Sequence, residues 1–305
     1  STYFVDPVNG GMWVSIKPEP GEDGHGVPWD EAGRVKSQYH TVYALLGAAA
    51  AAVANRPGAH ELLEAMLAEQ KEYWADDFGL VWDQYDEAFT EPVPVHTLGT
   101  LIHTIEAYMA AAEATTEPEW LDRAEKMTAF AHKIASRNDW RIHEYYDDSW
   151  DPSPEAGKLL NDGRRYYEGY VTGHSMQLAR FALQVRSGLR SMGGTVPDYL
   201  LEMGTELFER ARVDGWRRTD GNPGFSTGVN DEGEPVPGED EHQQWVVCEG
   251  VCATVAIRRA MLDDGSRVSD VEHFEHCYRS FVDYIHDYLI SQPGRWVRRL
   301  GRRNE

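Results

Sequence analysis

Hydrophobic and polar positions along the chain fall into two alternating helical patterns. From Arg34 to about Asn55 the sequence is alanine-rich, apolar on nearly every side and uncharged beyond its first turn, and Asn55-Arg56-Pro57-Gly58 ends it. The next stretch, Ala59 to Trp74, carries Glu61, Glu64, Glu69, Lys71 and Glu72 and keeps a single apolar face. The pair then recurs. His96 to Ala114 is clean and Glu119 to Ser136 charged; Thr172 to Ser187 precedes Asp198 to Arg212; Gln243 to Met261 precedes Ser269 to Leu289. Extended or irregular stretches separate the pairs: residues 3–17 with a turn at Asn9-Gly10-Gly11, Phe78 to Tyr85, Trp140 to Tyr146, the irregular Asp147 to Tyr170, the hairpin-like Gly224 to Val236, and finally Arg295-Trp296-Val297.

The unit of extended segment, apolar helix and charged helix thus occurs four times, with starts roughly sixty to eighty residues apart. A helix that is apolar all round must be covered on most sides, whereas one with a single apolar face covers others and meets water. The pattern therefore predicts an all-α fold of stacked hairpins, with apolar inner helices and amphipathic outer ones. Such hairpins form an open solenoid or a closed α/α toroid, with short β-hairpins at the end where the inner helices begin.

This layering singles out the polar residues of the inner helices. His40 lies near the start of the first, with Tyr43 one turn on; His103 and Glu106 are on the second, His174 and Gln177 on the third, Trp245 and Glu249 on the fourth. Spacings of three or four put each pair on one helical face. Uncoupled core contacts have no reason to recur on the same helix class in every unit, so these positions are candidate functional residues. His174 stands where a tyrosine-rich irregular segment turns into a helix, beside the unpaired N–H groups of a helix start. His103 and His174, with Glu106, Glu249, Arg164 and Arg165, suit proton transfer next to a carbonyl. Histidine acts as acid or base near neutral pH, carboxylates hold its tautomer, and arginine binds hydroxyl or anionic groups.

Composition mainly excludes. A net charge of −22 over 305 residues, from 51 acidic and 29 basic side chains, argues against nucleic acid or an anionic membrane as partner. Cys248, Cys252 and Cys277 lack framework spacing and read as free thiols in a reducing, cytoplasmic setting, the first two as core residues one turn apart. The longest apolar run, Leu45 to Ala54, is too short to span a membrane. No close His/Asp/Glu cluster stands on an inner helix, and His273 and His276 lie on a charged outer one, so no metal is expected. No Gly-rich phosphate loop or Gly-x-Ser-x-Gly elbow occurs, and Asp147, Asp148 and Asp151 lie in a loop rather than forming the acid pair of a glycoside hydrolase.

Several stretches resemble a known family. They are Ile102-His103-Thr104-Ile105-Glu106-Ala107, Ala114 to Ala124 around Trp120-Leu121, Gly173-His174-x-x-Gln177, Trp245-Val246-Val247-Cys248-Glu249, and Phe281 to Ile285 followed by Gly294-Arg295-Trp296. In order and separation they resemble the N-acylglucosamine 2-epimerase superfamily, particularly its mannose and sulfoquinovose isomerases. The resemblance implies an (α/α)6 toroid and aldose–ketose isomerisation or C2 epimerisation without a cofactor, one histidine moving a proton at C2 and a second acting at the neighbouring position. His174 matches the first of these; His103, Glu106 and Glu249 match residues of the sugar pocket; Arg164 or Arg165 matches a substrate-binding arginine. Gln177, His40 and Trp245 complete the candidate substrate-binding set, although the family has Glu where this chain has Gln177. Four hairpins make an incomplete array, so residues 1–305 read as a single toroid-type domain lacking both ends, the second catalytic histidine among them. The expectation is a sugar isomerase acting at C1/C2 of a mannose-like or sulfoquinovose-like monosaccharide, with a homo-oligomer left open. The alternatives are a C2 epimerase of N-acylglucosamine or cellobiose type and a non-catalytic sugar- or protein-binding relative.

Overall fold

A computed structural model describes residues 3–219 and 222–305. Contacts gather into two compact units, one of Ser1–Met127 with Glu144–Tyr166, the other of Thr128–His143 with Tyr167–Glu305.

In the first unit the predicted opening helix is divided. A single turn, α1 (Glu31–Arg34), is capped by the Asp30 carboxylate, which accepts the Gly33 N–H at 2.9 Å, and Val35 then turns extended. β1 (Lys36–Ser37) follows, and only then α2 (Gln38–Val53). The break has a local cause. The Lys36 ammonium is buried against the Asp6 carboxylate at 2.8 Å and lies 4.2 Å over the Trp13 ring, which holds this backbone out of the helix. α3 (Ala59–Glu69) starts after Gly58, whose φ of +74° suits glycine, and runs on through a π-helical turn, Gln70–Trp74. There Gln38 and Gln70 exchange amide hydrogen bonds of 2.6 and 3.1 Å, which satisfies two buried side chains reciprocally. β2 (Gln84–Tyr85), β3 (His96–Thr97), α4 (Leu98–Thr115), α5 (Pro118–Ala135) and β4 (Tyr145–Tyr146) complete the order, α5 being shared between the units.

The second unit contains β5 (Tyr170–Val171), α6 (Thr172–Ser191), α7 (Tyr199–Gly215), β6 (Trp216–Thr219), β7 (Asn222–Phe225), β8 (Gly228–Val229), β9 (His242–Gln243), α8 (Gln244–Asp263) and α9 (Glu272–Tyr284). It closes with β10 (Ile290–Gln292), β11 (Arg295–Trp296) and β12 (Arg299–Leu300). The helical hairpins fall within a few residues of the periodicity, and α9 buries a single stripe of Phe274, Cys277, Phe281 and Tyr284.

Each inner helix is entered through a two-residue strand, and each of these strands is paired antiparallel: β1 with β2, β3 with β4, β5 with β8, β9 with β12. A second repeat went unread in the sequence. Asp6, Asp86, Asp147 and Asn230 each follow a bridged residue, Val5, Tyr85, Tyr146 or Val229, and each side chain accepts backbone N–H groups of the turn ahead. Four similar Asx turns therefore shape the loops at the inner helix starts.

Coverage differs from the expectation for apolar helices. α4 buries twelve residues, but α2 buries only Gln38, Thr41, Val42, Leu45, Ala48, Ala49 and Ala52. Its opposite face, with Tyr43, Gly47, Ala50 and Val53, is exposed. On α8 Cys252 is likewise exposed and Cys248 half-buried, so of the three free thiols only Cys277 is a core residue. An alanine-rich pattern shows that a helix can be covered on all sides, not that it is. No helix is long and apolar enough to cross a membrane among the described residues.

Candidate functional site

Apart from Arg164 and Arg165, which lie on the irregular loop, the candidate residues stand in the N-terminal halves of the inner helices, and each unit carries its own group. In the first unit, Asp83 sets the start of α4. Its fully buried carboxylate accepts the Thr97 N–H at 2.6 Å and the hydroxyls of Thr97 and Thr100. The same carboxylate receives Arg164, which comes from the irregular loop. Arg164 donates through Nη2 to Asp83 at 2.9 Å, through Nε to Asp162 at 2.9 Å and through Nη1 to Thr100 at 2.8 Å, with its guanidinium 4.7 Å over the Tyr39 ring. Burial works against the Asp162 charge, but Arg164 and the Ser37 hydroxyl outweigh it and hold the carboxyl below the usual range. Burial also opposes the Arg164 charge, and Asp83 and Asp162 overcome that, raising its pKa further.

Against this group lie the side chains of α2 and α4. His103, 9% exposed, has Nδ1 3.1 Å from Glu106 Oε2 and Nε2 2.8 Å from the Tyr43 hydroxyl. Tyr39 packs edge-on against His103, with ring centroids 5.5 Å apart. Burial of its hydroxyl end, then Tyr39 and the Glu106 charge, push the Tyr43 phenol upward, so Tyr43 keeps its proton to donate. His40, half-buried on α2, places Nδ1 2.9 Å from Ser37 Oγ, which is itself 2.8 Å from Asp162 Oδ2. Burial lowers the His40 pKa, partly offset by the Asp162 charge and reinforced by Arg164.

In the second unit His174 is the third residue of α6 and stands beside Trp245 of α8, ring centroids 5.5 Å apart. Gln177 is buried one turn on. Deeper along the same two helices, Arg180 grips Glu249 with Nε at 3.0 Å and Nη2 at 3.2 Å. The α6–α8 contact thus has two layers, an imidazole against an indole and a guanidinium against a carboxylate. The first layer can pack the C–H face of a small polar ligand while presenting an acid or base to it. The indole N–H donates to Gln243 at 2.7 Å and Gln243 to Glu241 at 2.8 Å, fixing the ring.

The sequence-derived residues therefore divide. His40, His103, Glu106 and Arg164 are brought together in the first unit, whereas Arg165 lies exposed on the same loop. His174, Gln177, Trp245 and Glu249 stand along one helix pair in the second. Sequence reasoning missed Ser37, Tyr39, Asp83, Asp162 and Arg180, all of which act across the fold. His273 lies outside both groups, 2.6 Å from Glu209. Among the described residues no group of three or more His, Cys, Asp or Glu is arranged to hold a metal ion.

The family model described as N-acylglucosamine 2-epimerase (GlcNAc 2-epimerase) matches residues 20–305. A D-mannose isomerase of Thermobifida fusca is 31% identical over 291 residues, 92% of this chain and 67% of its own. One from Pseudomonas cannabina pv. alisalensis is 28% identical over 274 residues, 88% of this chain and 63% of its own. The chain thus spans about two thirds of the length of these curated relatives. Among solved structures, a D-mannose isomerase superposes with a TM-score of 0.77 at 21% identity, over 94% of this chain and 71% of that one. The cellobiose 2-epimerase from Spirochaeta thermophila DSM 6192 does so with 0.75 at 16%, over 99% and 69%. These likenesses show the fold class, all-α and built from helical hairpins of the α/α toroid type.

Proposed function

Because the chain belongs to the N-acylglucosamine 2-epimerase family, we propose that it is a sugar isomerase that interconverts the aldose and ketose forms of a mannose-like monosaccharide, with His174 as a proton-transfer residue. The observation that carries this reading is His174 on the first turn of α6 beside Trp245, in a chain 31% identical to a D-mannose isomerase.

The chemistry asks for little beyond positioned acids and bases. In the open-chain aldose the C2 hydrogen is acidified by the neighbouring carbonyl. A base removes it, the electron pair forms the C1–C2 double bond of an enediol, and O1 gains a proton. Return of a proton to C1, with loss of the O2 proton, gives the ketose. The net change moves one hydrogen from C2 to C1 and one proton from O2 to O1, so no external electrons are consumed. An imidazole near neutral pH suits the carbon step. Trp245 offers an apolar wall against the sugar's C–H face, and Gln177 is a neutral hydrogen-bonding side chain one turn away. His103 and Glu106 are proposed as hydroxyl-binding residues.

The test is incubation of the full-length protein with mannose in D2O. The expected result is ketose carrying deuterium at C1, with kcat/KM falling by about 10²–10⁴-fold in His174→Ala. No exchange with any hexose tried overturns the isomerase reading, and an undiminished rate in His174→Ala removes His174 from it. Deuterium returning to C2 with inverted configuration and no ketose identifies an epimerase instead.

A further inference from the structure

We propose that the first unit binds a buried water molecule between His96 and Asp76, which donates one hydrogen bond to His96 Nε2 and the other to Asp76 Oδ2. The inference stands apart from the isomerase reading and uses residues of this unit alone.

Two acceptors face each other there with no hydrogen of the protein between them. His96 is fully buried on β3, and its Nδ1 lies 2.8 Å from the Val81 carbonyl oxygen. A carbonyl only accepts, so Nδ1 carries the hydrogen, and in the neutral ring Nε2 keeps a lone pair. Among the described residues Nε2 has no hydrogen-bond partner, although it is sealed from solvent. Asp76, whose side chain is 1% exposed, is an acceptor in every bond it makes. Oδ1 takes the N–H groups of Phe78 at 2.9 Å and Leu80 at 2.7 Å, and Oδ2 takes the Trp150 indole N–H at 2.7 Å. Nε2 and Oδ2 are 4.0 Å apart, too far for a direct bond. A buried acceptor left unmet is costly and rare, and a polar separation of this size is the span of a bridging water.

The geometry fits a single oxygen. Placed about 2.8 Å from each atom, it subtends an angle of about 90°, near enough to the angle between its own O–H bonds that both hydrogen bonds stay almost straight. Trp82 and Trp150 stack on the imidazole with centroids 4.7 and 4.2 Å away and planes 23° and 11° from its own, too close for both to share one face. Both faces are therefore closed, and a ligand reaches the ring only at its edge, in the plane of the Nε2 lone pair. That ligand must be a small double donor. Water and the ammonium ion share this chemistry, and water brings no charge into the interior.

The water ties together three segments: the connection after the π-helical turn, β3, and the Asx turn that carries Trp150. β3 leads directly into α4, where Thr97 and Thr100 meet Asp83 and Arg164, so the bound water steadies the strand from which the polar group of this unit is built.

The experiment uses the full-length protein labelled with ¹⁵N. His96 is expected as the Nδ1–H tautomer, and rotating-frame Overhauser spectra are expected to link a water signal to the His96 ring C–H and the Trp150 indole N–H. Water ²H and ¹⁷O relaxation dispersion counts molecules held longer than the protein takes to tumble. It is expected to lose one such water in His96→Phe, whose ring keeps the stack but offers no Nε2. Should His96→Phe fail to fold, the wild-type spectra decide alone. A His96 ring carrying a hydrogen on Nε2 overturns the proposal, as does the absence of water cross-peaks. Cross-peaks to a ¹⁵N-labelled ammonium ion in place of water overturn it too, and so does an equal count of held waters in the wild type and a folded His96→Phe.

Discussion

A methyl group at Gly173 would stand 2.3 to 2.4 Å from the six-membered ring of Trp245, closer than real atoms approach. The glycine is needed here for interhelical packing, since its backbone is helical and makes no use of left-handed freedom. Gly173→Ala is expected to push the indole away from His174 and to cost about 1–3 kcal/mol, as overpacking of a well-fitted contact does. Denaturation midpoints and tryptophan fluorescence check this, and an unchanged midpoint with an unchanged spectrum would show that Trp245 has room to move. The sequence displays Gly173-His174 as a motif but hides the reason for the glycine, because the Trp245 ring belongs to a helix more than seventy residues away. Glu249 teaches the same lesson. Helical spacing placed it on the face of Trp245, yet its partner Arg180 is two turns beyond His174 on α6, and no local spacing encodes that pair.

At the scale of elements, periodicity alone located the helical hairpins, because broad and single-faced burial leave different patterns. It could not foresee the break before α2, which depends on Lys36 meeting Asp6 thirty residues earlier, nor the two-residue strands, which are too short for any alternation to show. The irregular loop after β4 is the plainest case. The sequence shows no regular element there and offers Arg164 and Arg165 without telling them apart, but the fold delivers Arg164 between Asp83 and Asp162, whose side chains are both 0% exposed. Arg164→Met would leave two buried carboxylates without their cation, and breaking such an arrangement costs about 3–5 kcal/mol. Arg164→Lys is expected to rescue only part of this, since one ammonium cannot reproduce the fork that meets both carboxylates and Thr100. Urea unfolding near neutral pH measures the loss. It should shrink in acid as pH drops through the lowered Asp162 value, and a loss below about 1 kcal/mol would mean that solvent reaches the carboxylates easily.

At the scale of the whole molecule, each compact unit holds one histidine whose burial depresses its pKa: His40 in the first, and in the second His242, packed under Tyr284 and bonded to Asn304 at 2.8 Å. For a histidine with a lowered folded pKa, the unfolded chain binds more protons in the window between that value and the ordinary 6.5. Stability must then rise with pH through the window: the contribution is complete above 6.5 and is lost as pH falls below it. The slope is at most about 1.4 kcal/mol per pH unit for each ring. A net charge of −22 acts in the opposite sense, since protonation of the acidic surface relieves repulsion as pH falls, but at physiological salt that term is screened over about 8 Å and is shared by any variant. Comparison with His40→Gln/His242→Gln cancels it. The wild type is expected to lose stability relative to the double variant as pH falls below 6.5, and to run parallel to it once pH has dropped through the lowered folded values. A second, common fall belongs to the carboxylates. Asp6 and Asp162 have pKa values below the ordinary 3.8, so their contribution is present above 3.8 and disappears only as pH drops through their folded values. Thermal unfolding of both proteins across this range separates the two steps. Curves that stay parallel as pH falls below 6.5 would show that neither ring is held neutral by the fold.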